Sequence, residues 1–118
     1  MNDKLDIQTH VDKLSAEMRR GLTVLVVMSQ LNEPVYAYSL LKKLEEKGFE
    51  ISQDALYPLM RKLDEQGYLN SDWKVDESRP RRYYQLSYLG EAVYTALKAE
   101  WKEQFEQVIH IIYQENEK

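Results

Sequence analysis

The sequence predicts a mainly α-helical fold with one small β-hairpin, and three observations carry that prediction. Helix breakers are few, four Gly and three Pro in 118 residues, and long runs of good helix formers separate most of them. Apolar residues recur at intervals of three and four over most of the chain. Only between Leu69 and Leu86 does the period change to two.

Taken in order, Ile7, Val11, Leu14, Met18, Leu22 and Leu25 share one face of a first helix running from about Lys4 to Leu31. The pattern leaves open whether Gly21 bends or divides it. After Asn32-Glu33-Pro34, a second helix over about 36 to 47 has Ala37, Leu40, Leu41 and Leu44 as its stripe, with Gly48 where a left-handed C-cap is expected. Ser52 can cap a third helix whose inward residues are Leu56, Leu59, Met60 and Leu63 and whose stop is Gly67. Two short amphipathic helices joined by so short a link suit a helix-turn-helix, and equally a plain helical hairpin.

The next segment decides between them. Leu69, Ser71, Trp73 and Val75 alternate with Asn70, Asp72 and Lys74, and Arg81 to Leu86 alternate again beyond the polar gap Asp76 to Pro80, so a two-stranded hairpin follows. Ser87 then caps a last helix with apolar positions Leu89, Val93, Leu97, Trp101, Phe105, Val108 and Ile112, far longer than a small core requires. The order is that of a winged helix-turn-helix plus N- and C-terminal dimerisation helices. The expected division is into residues 1-86, a winged helix-turn-helix domain that includes the N-terminal helix, and 87-118, the C-terminal helix.

Composition narrows the function. Sixteen Lys and Arg against 20 Asp and Glu leave a formal charge of −4, and the chain has no Cys. The missing Cys excludes disulfides, thiol catalysis and thiolate zinc sites. The polar N-terminus lacks the pattern of a signal peptide, and the longest apolar run, Leu22 to Met28, is far below the ~20 residues of a membrane span. A cytoplasmic protein without a membrane partner is expected. His10 and His110 are isolated on helices, with no nucleophile or carboxylate spaced to complete a catalytic set and no glycine-rich phosphate loop. No enzyme activity, metal or cofactor is expected.

From Arg20 to Gly90, about 70 of the 118 residues, the chain resembles the PadR-type transcriptional regulators. The residues that carry the resemblance are Arg20-Gly21-Leu22, Tyr36-Ala37-Tyr38, Leu56-Tyr57-Pro58-Leu59 with Arg61-Lys62-Leu63, Gly67-Tyr68-Leu69, and Arg82-Tyr83-Tyr84-Gln85-Leu86-Ser87 before Gly90. Ala37 adds a methyl where the family usually has Gly, beside Tyr38, which the resemblance makes a DNA contact. Ser87 keeps the capping hydroxyl of the usual Thr. The single C-terminal helix is similar to the shorter branch of the family. By this resemblance the protein is a dimeric repressor whose operator affinity is changed by a small aromatic or multidrug-like molecule.

The residues supply chemistry that DNA binding needs. With the third helix's apolar stripe turned inward, Gln53, Tyr57 and Arg61 fall on its outer side, flanked by Asp54, Pro58 and Lys62, with Ser52 at the start. Gln pairs with adenine and Arg with guanine in the major groove, and Tyr reaches a phosphate or a thymine methyl. Polar residues opposite a stripe ordinarily mean only a solvated face; an outward Tyr and a Pro inside the helix, which forfeits a backbone hydrogen bond, argue for more. Lys74, Arg79, Arg81 and Arg82 against Asp76 and Glu77 make the hairpin locally basic, suited to phosphates or a minor groove. An edge hairpin protected from aggregation by its charges would look the same. Divided along the chain, the net charge is −2 for residues 1 to 56, +1 for 57 to 85 and −3 for 86 to 118, so the one positive third holds the reading helix and wing.

Ile7, Val11 and Leu14 on the first helix, and Val93, Leu97, Trp101, Phe105, Val108 and Ile112 on the last, continue past the core and require cover. Pairing across a two-fold axis supplies it. Trp101, with Phe105 and Val108 as walls, is a candidate clamp for a planar aromatic ligand, and equally an interface side chain. Set against the regulator is a winged-helix protein-interaction module without DNA binding, which the acidic balance permits and the Arg79 to Arg82 cluster opposes.

Overall fold

The computed structural model describes residues 3–76 and 78–114. The order of elements is α1 (Asp3–Ser29), β1 (Val35–Tyr36), α2 (Ala37–Glu46), α3 (Gln53–Glu65), β2 (Leu69–Asp76), β3 (Arg79–Leu86) and α4 (Tyr88–Tyr113). The helix-rich winged fold expected from periodicity is thus present. Helix α1 runs unbroken through Gly21, where a Cβ would meet nothing within 4 Å. Gly48 and Gly67 follow α2 and α3 with φ of +85° and +86°, the left-handed conformation that ends a helix without a Cβ penalty.

The sheet has three strands, not two, in the order β1-β3-β2 and antiparallel throughout. Strand β1 pairs Val35 with Tyr84 and Tyr36 with Tyr83, and the two tyrosine rings stack at 4.3 Å with their hydroxyls hydrogen-bonded at 2.8 Å. A two-residue strand is too short to show alternation, so sequence periodicity passes over it. In the hairpin, Leu69 lies opposite Leu86, Ser71 opposite Tyr84 and Trp73 opposite Arg82.

The core draws Val27, Met28 and Leu31 from the end of α1, Leu40 and Leu44 from α2, Leu56, Met60 and Leu63 from α3, and Leu69, Tyr84 and Leu86 from the sheet. Burying each large side chain contributes about 1.5–3 kcal/mol. Ser87 joins the parts: its Oγ accepts from the Gly90 amide at 3.0 Å as the N-cap of α4, and its hydroxyl donates to the Gly67 carbonyl at 2.6 Å. Gly90 is buried there, where a Cβ would collide with the carbonyl oxygen of Tyr68. Arg19 ties α1 to the link between α2 and α3, donating to the Glu50 carbonyl and lying 4.9 Å over the Phe49 ring.

Outside this core the helices stand free. Ile7 and Leu14 are 63% and 65% exposed, and Phe105, Val108 and Ile112 are exposed as well. The radius of gyration is 17.9 Å, against about 13–14 Å for a compact chain of this length. Val93 departs from expectation: it packs against the core of its own chain, because the first turns of α4 lie on that core.

Candidate nucleic-acid interface

Helix α3 begins at Ser52, whose Oγ accepts from the Ala55 amide at 3.2 Å, and it continues through Pro58 to Glu65. Leu56, Met60 and Leu63 turn inward and Leu59 is half-buried, which leaves Gln53, Asp54, Arg61 and Lys62 exposed on the opposite flank. Tyr57 is the exception. It is half-buried, packed against the core, and not fully outward-facing.

Between α3 and the hairpin lies a cavity of about 520 Å³. Tyr57, Met60 and Arg61 of α3 face Trp73 and Arg79 to Arg82 of the hairpin across it, and Ala37 and Tyr38 close it from the start of α2. Strand β1 ends opposite Tyr83, so β3 from Arg79 to Arg82 has a sheet partner on one side only, and the cavity opens along this segment.

The four basic residues of the wing are held differently. Arg81 lies 5.3 Å over the Tyr36 ring and Lys74 lies 5.6 Å over the Tyr83 ring, so the stacked tyrosine pair has a cation on either side. Arg79 is exposed at the tip. Arg82 is half-buried: its Nη2 donates to Asp64 Oδ2 and to Ser71 Oγ, both at 2.9 Å, and the Ser71 hydroxyl donates to Asp64 Oδ2 at 2.6 Å. The same guanidinium lies within 6 Å of the Trp73 and Tyr84 rings. Arg82, expected to face phosphate, thus joins α3, β2 and β3 and sets the wing against α3. Alternation alone could have placed Arg82 on the face of β3 that Tyr84 and Leu86 occupy; Asp64 as its partner had no local signal.

Tyr38, in the first turn of α2, is exposed, with the Lys42 ammonium 5.7 Å over its ring. Far from this face, Trp101 lines a second cavity of about 410 Å³ between α1 and α4, with Met18, Leu22, Leu25 and Leu97. Phe105 stacks on Trp101 at 5.0 Å, but neither it nor Val108 lines that cavity. Among the described residues no group of three or more His, Cys, Asp or Glu is placed to hold a metal, and no helix is long and apolar enough to cross a membrane.

Comparison with known proteins places this geometry. The model of the transcriptional regulator PadR-like family matches residues 24–96. The chain is similar to a PadR family transcriptional regulator from Eggerthella lenta DSM 2243, a crystal structure with 38% identity and a TM-score of 0.85, over 92% of this chain and 96% of that one. It is also similar to a PadR-like transcription factor of Bacteroides fragilis, with 35% identity and a TM-score of 0.72 over 84% of this chain and 98% of the other. A transcriptional regulator of Mycobacterium tuberculosis is 27% identical over 77 residues, 65% of this chain and 72% of its own length.

Proposed function

Because the chain belongs to the PadR-like family of transcriptional regulators, we propose that it is a sequence-specific homodimeric repressor released from its operator by a small aromatic or multidrug-like effector. Membership makes it a DNA-binding transcriptional regulator, and the family is not one of enzymes. The finer reading rests chiefly on one observation: the exposed flank of α3 and the basic wing border the same concave face. Gln53 and Arg61 are the residues for base edges, with Ser52, Asp54, Tyr57 and Lys62 around them and Tyr38 beside them. Arg79, Arg81 and Lys74 take phosphate, and Arg82 positions the wing. Residues 1-86 form the reading unit and 87-118 the dimerisation helix.

The exposed apolar rows on α1 and α4 support the dimer. Ile7, Val11 and Leu14 on one helix and Leu97, Trp101, Phe105, Val108 and Ile112 on the other are at least 38% exposed. Two-fold pairing covers both rows and presents two reading helices to half-sites about one turn of DNA apart. The cavity beside Trp101 lies at the root of these rows, and an aromatic effector there would change how α1 and α4 meet.

Fluorescence anisotropy with duplexes from upstream of the chain's own gene and its neighbours, against shuffled duplexes over a salt series, tests the reading. Preferential binding by a dimer in sedimentation velocity is expected. A well-folded dimer that binds no duplex, or binds all alike, would instead support the protein-interaction module. For the effector, saturable quenching by planar aromatics is expected in Trp73→Phe, where Trp101 is the one tryptophan left.

A further inference from the structure

We propose that Tyr36 and Tyr83 are positioning residues for DNA binding: their stacked rings hold Arg81 and Lys74, one on each outer face of the stack, in place for backbone phosphate. The use of the two cations on DNA rests on the reading given above; the hold on them does not.

Register puts all four side chains on one face of the sheet. Tyr36 lies opposite Tyr83, Lys74 lies opposite Arg81, and positions 81 and 83 of β3 share a side of the strand. The rings are fixed by backbone and hydroxyl alike. Tyr36 is the last residue of β1 and the N-cap residue of α2, so strand pairing and the helix start both set its backbone. The rings stack at 4.3 Å with 18° between their planes, and a 2.8 Å hydrogen bond joins the hydroxyls. The Arg81 guanidinium lies 5.3 Å from the centre of the Tyr36 ring and the Lys74 ammonium 5.6 Å from that of Tyr83. Tyr36 and Arg81 line the cavity facing α3, whereas Tyr83 and Lys74 line a separate one of about 600 Å³ with Asn70, Asp72 and Gln85.

Neither cation is neutralised. Among the described residues no carboxylate lies within ion-pair distance of Arg81 or Lys74, and Asp72, opposite Tyr83, accepts with Oδ1 from the Trp73 amide at 2.8 Å. Arg81 Nε is buried with no hydrogen-bond partner among the described residues, so on that edge the Tyr36 ring is the contact that holds the guanidinium. Long cationic side chains lose much rotamer freedom when they dock, and a cation already held over a ring has lost part of it beforehand. Attraction to a ring face spends none of its N–H donors on another acceptor, which leaves them for phosphate oxygens. Arg79, exposed at the tip, has no ring beneath it among the described residues and so lacks this hold.

Fluorescence anisotropy of the full chain with a labelled mixed-sequence duplex at about 50 mM salt reads the effect, because phosphate contact does not depend on sequence. Tyr36→Leu should weaken binding at least about fivefold, and Tyr36→Phe, which keeps the ring, should recover most of that loss. The cost of Tyr36→Leu should stay at least about fivefold in an Arg79→Ala background and fall below about twofold in an Arg81→Ala/Lys74→Ala background. A loss that persists without Arg81 and Lys74, or one that Tyr36→Phe shares in full, overturns the positioning role. Tyr83→Leu serves if Tyr36→Leu does not keep its far-UV circular dichroism. Urea unfolding without DNA, at one protein concentration, tests the hold by itself: Tyr36→Leu and Arg81→Ala should depart from additivity by at least about threefold in the unfolding constant, and additive effects overturn it. A chain that binds no duplex, or whose affinity ignores Arg81→Ala/Lys74→Ala, overturns the phosphate use of the cations, and the unfolding coupling then decides the hold.

Discussion

The pair Asp64–Arg82 gives the sharpest test of how the wing is held. The two side chains are 20% and 39% exposed, between the surface regime, where an ion pair contributes about 0–1 kcal/mol, and the buried one, where removing a partner costs about 3–5 kcal/mol. Asp64→Ala removes the acceptor of two hydrogen bonds, from Arg82 at 2.9 Å and from Ser71 at 2.6 Å, and leaves the half-buried guanidinium with Ser71 alone. At about 1 kcal/mol for a partly exposed charge-assisted bond and somewhat less for the hydroxyl, a loss of about 1.5–2.5 kcal/mol is expected. Arg82→Ala loses the same bond plus ring contacts to Trp73 and Tyr84 of about 0.5 kcal/mol each, for about 2–3 kcal/mol. The double variant should be little worse than Arg82→Ala, a coupling of about 1–2 kcal/mol. Urea unfolding followed by circular dichroism measures it, with all variants at one protein concentration because association adds to apparent stability. Arg82→Lys keeps the charge but loses the planar fork, and should cost at least about 1 kcal/mol. A coupling below about 0.3 kcal/mol, the range of independent sites, would refute the positioning role and return Arg82 to the phosphate contacts.

Three further outcomes are expected. Arg81→Ala should weaken binding to all duplexes about equally and lower the salt slope by about 1 for each protomer, read by anisotropy at several salt concentrations; an unchanged slope removes Arg81 from the interface. Gln53→Ala should relax preference at one base pair in each half-site by about 1–3 kcal/mol and leave the salt slope unchanged, which a panel of single-substitution duplexes would show. Gly90→Ala drives a methyl into the Tyr68 carbonyl and should destabilise by about 1–3 kcal/mol or more, whereas Gly21→Ala, in open space within a helix, should stabilise by up to about 1 kcal/mol; thermal unfolding of the two variants should separate them in that order.

Features that depend on near neighbours are set locally along the chain. The stripes of α1 to α4, the Ser52 and Ser87 caps, the left-handed Gly48 and Gly67 and the alternation of the hairpin each depend on residues within a few positions, so periodicity and capping rules reach them. Part of the proposed reading face was legible for the same reason: Gln53 and Arg61 are exposed because Leu56, Met60 and Leu63 are buried one helical face away. Tertiary structure alone decided the rest. Whether Arg82 meets phosphate or Asp64 depends on a partner 18 positions away, and β1 exists because Tyr36 meets Tyr83 across 47 positions. Tyr57 packs against the core, and the cavity beside it is closed by a hairpin tip that no local pattern directs toward α3. Contacts such as these follow from chain closure and side-chain packing, which become defined only when all the elements share one core.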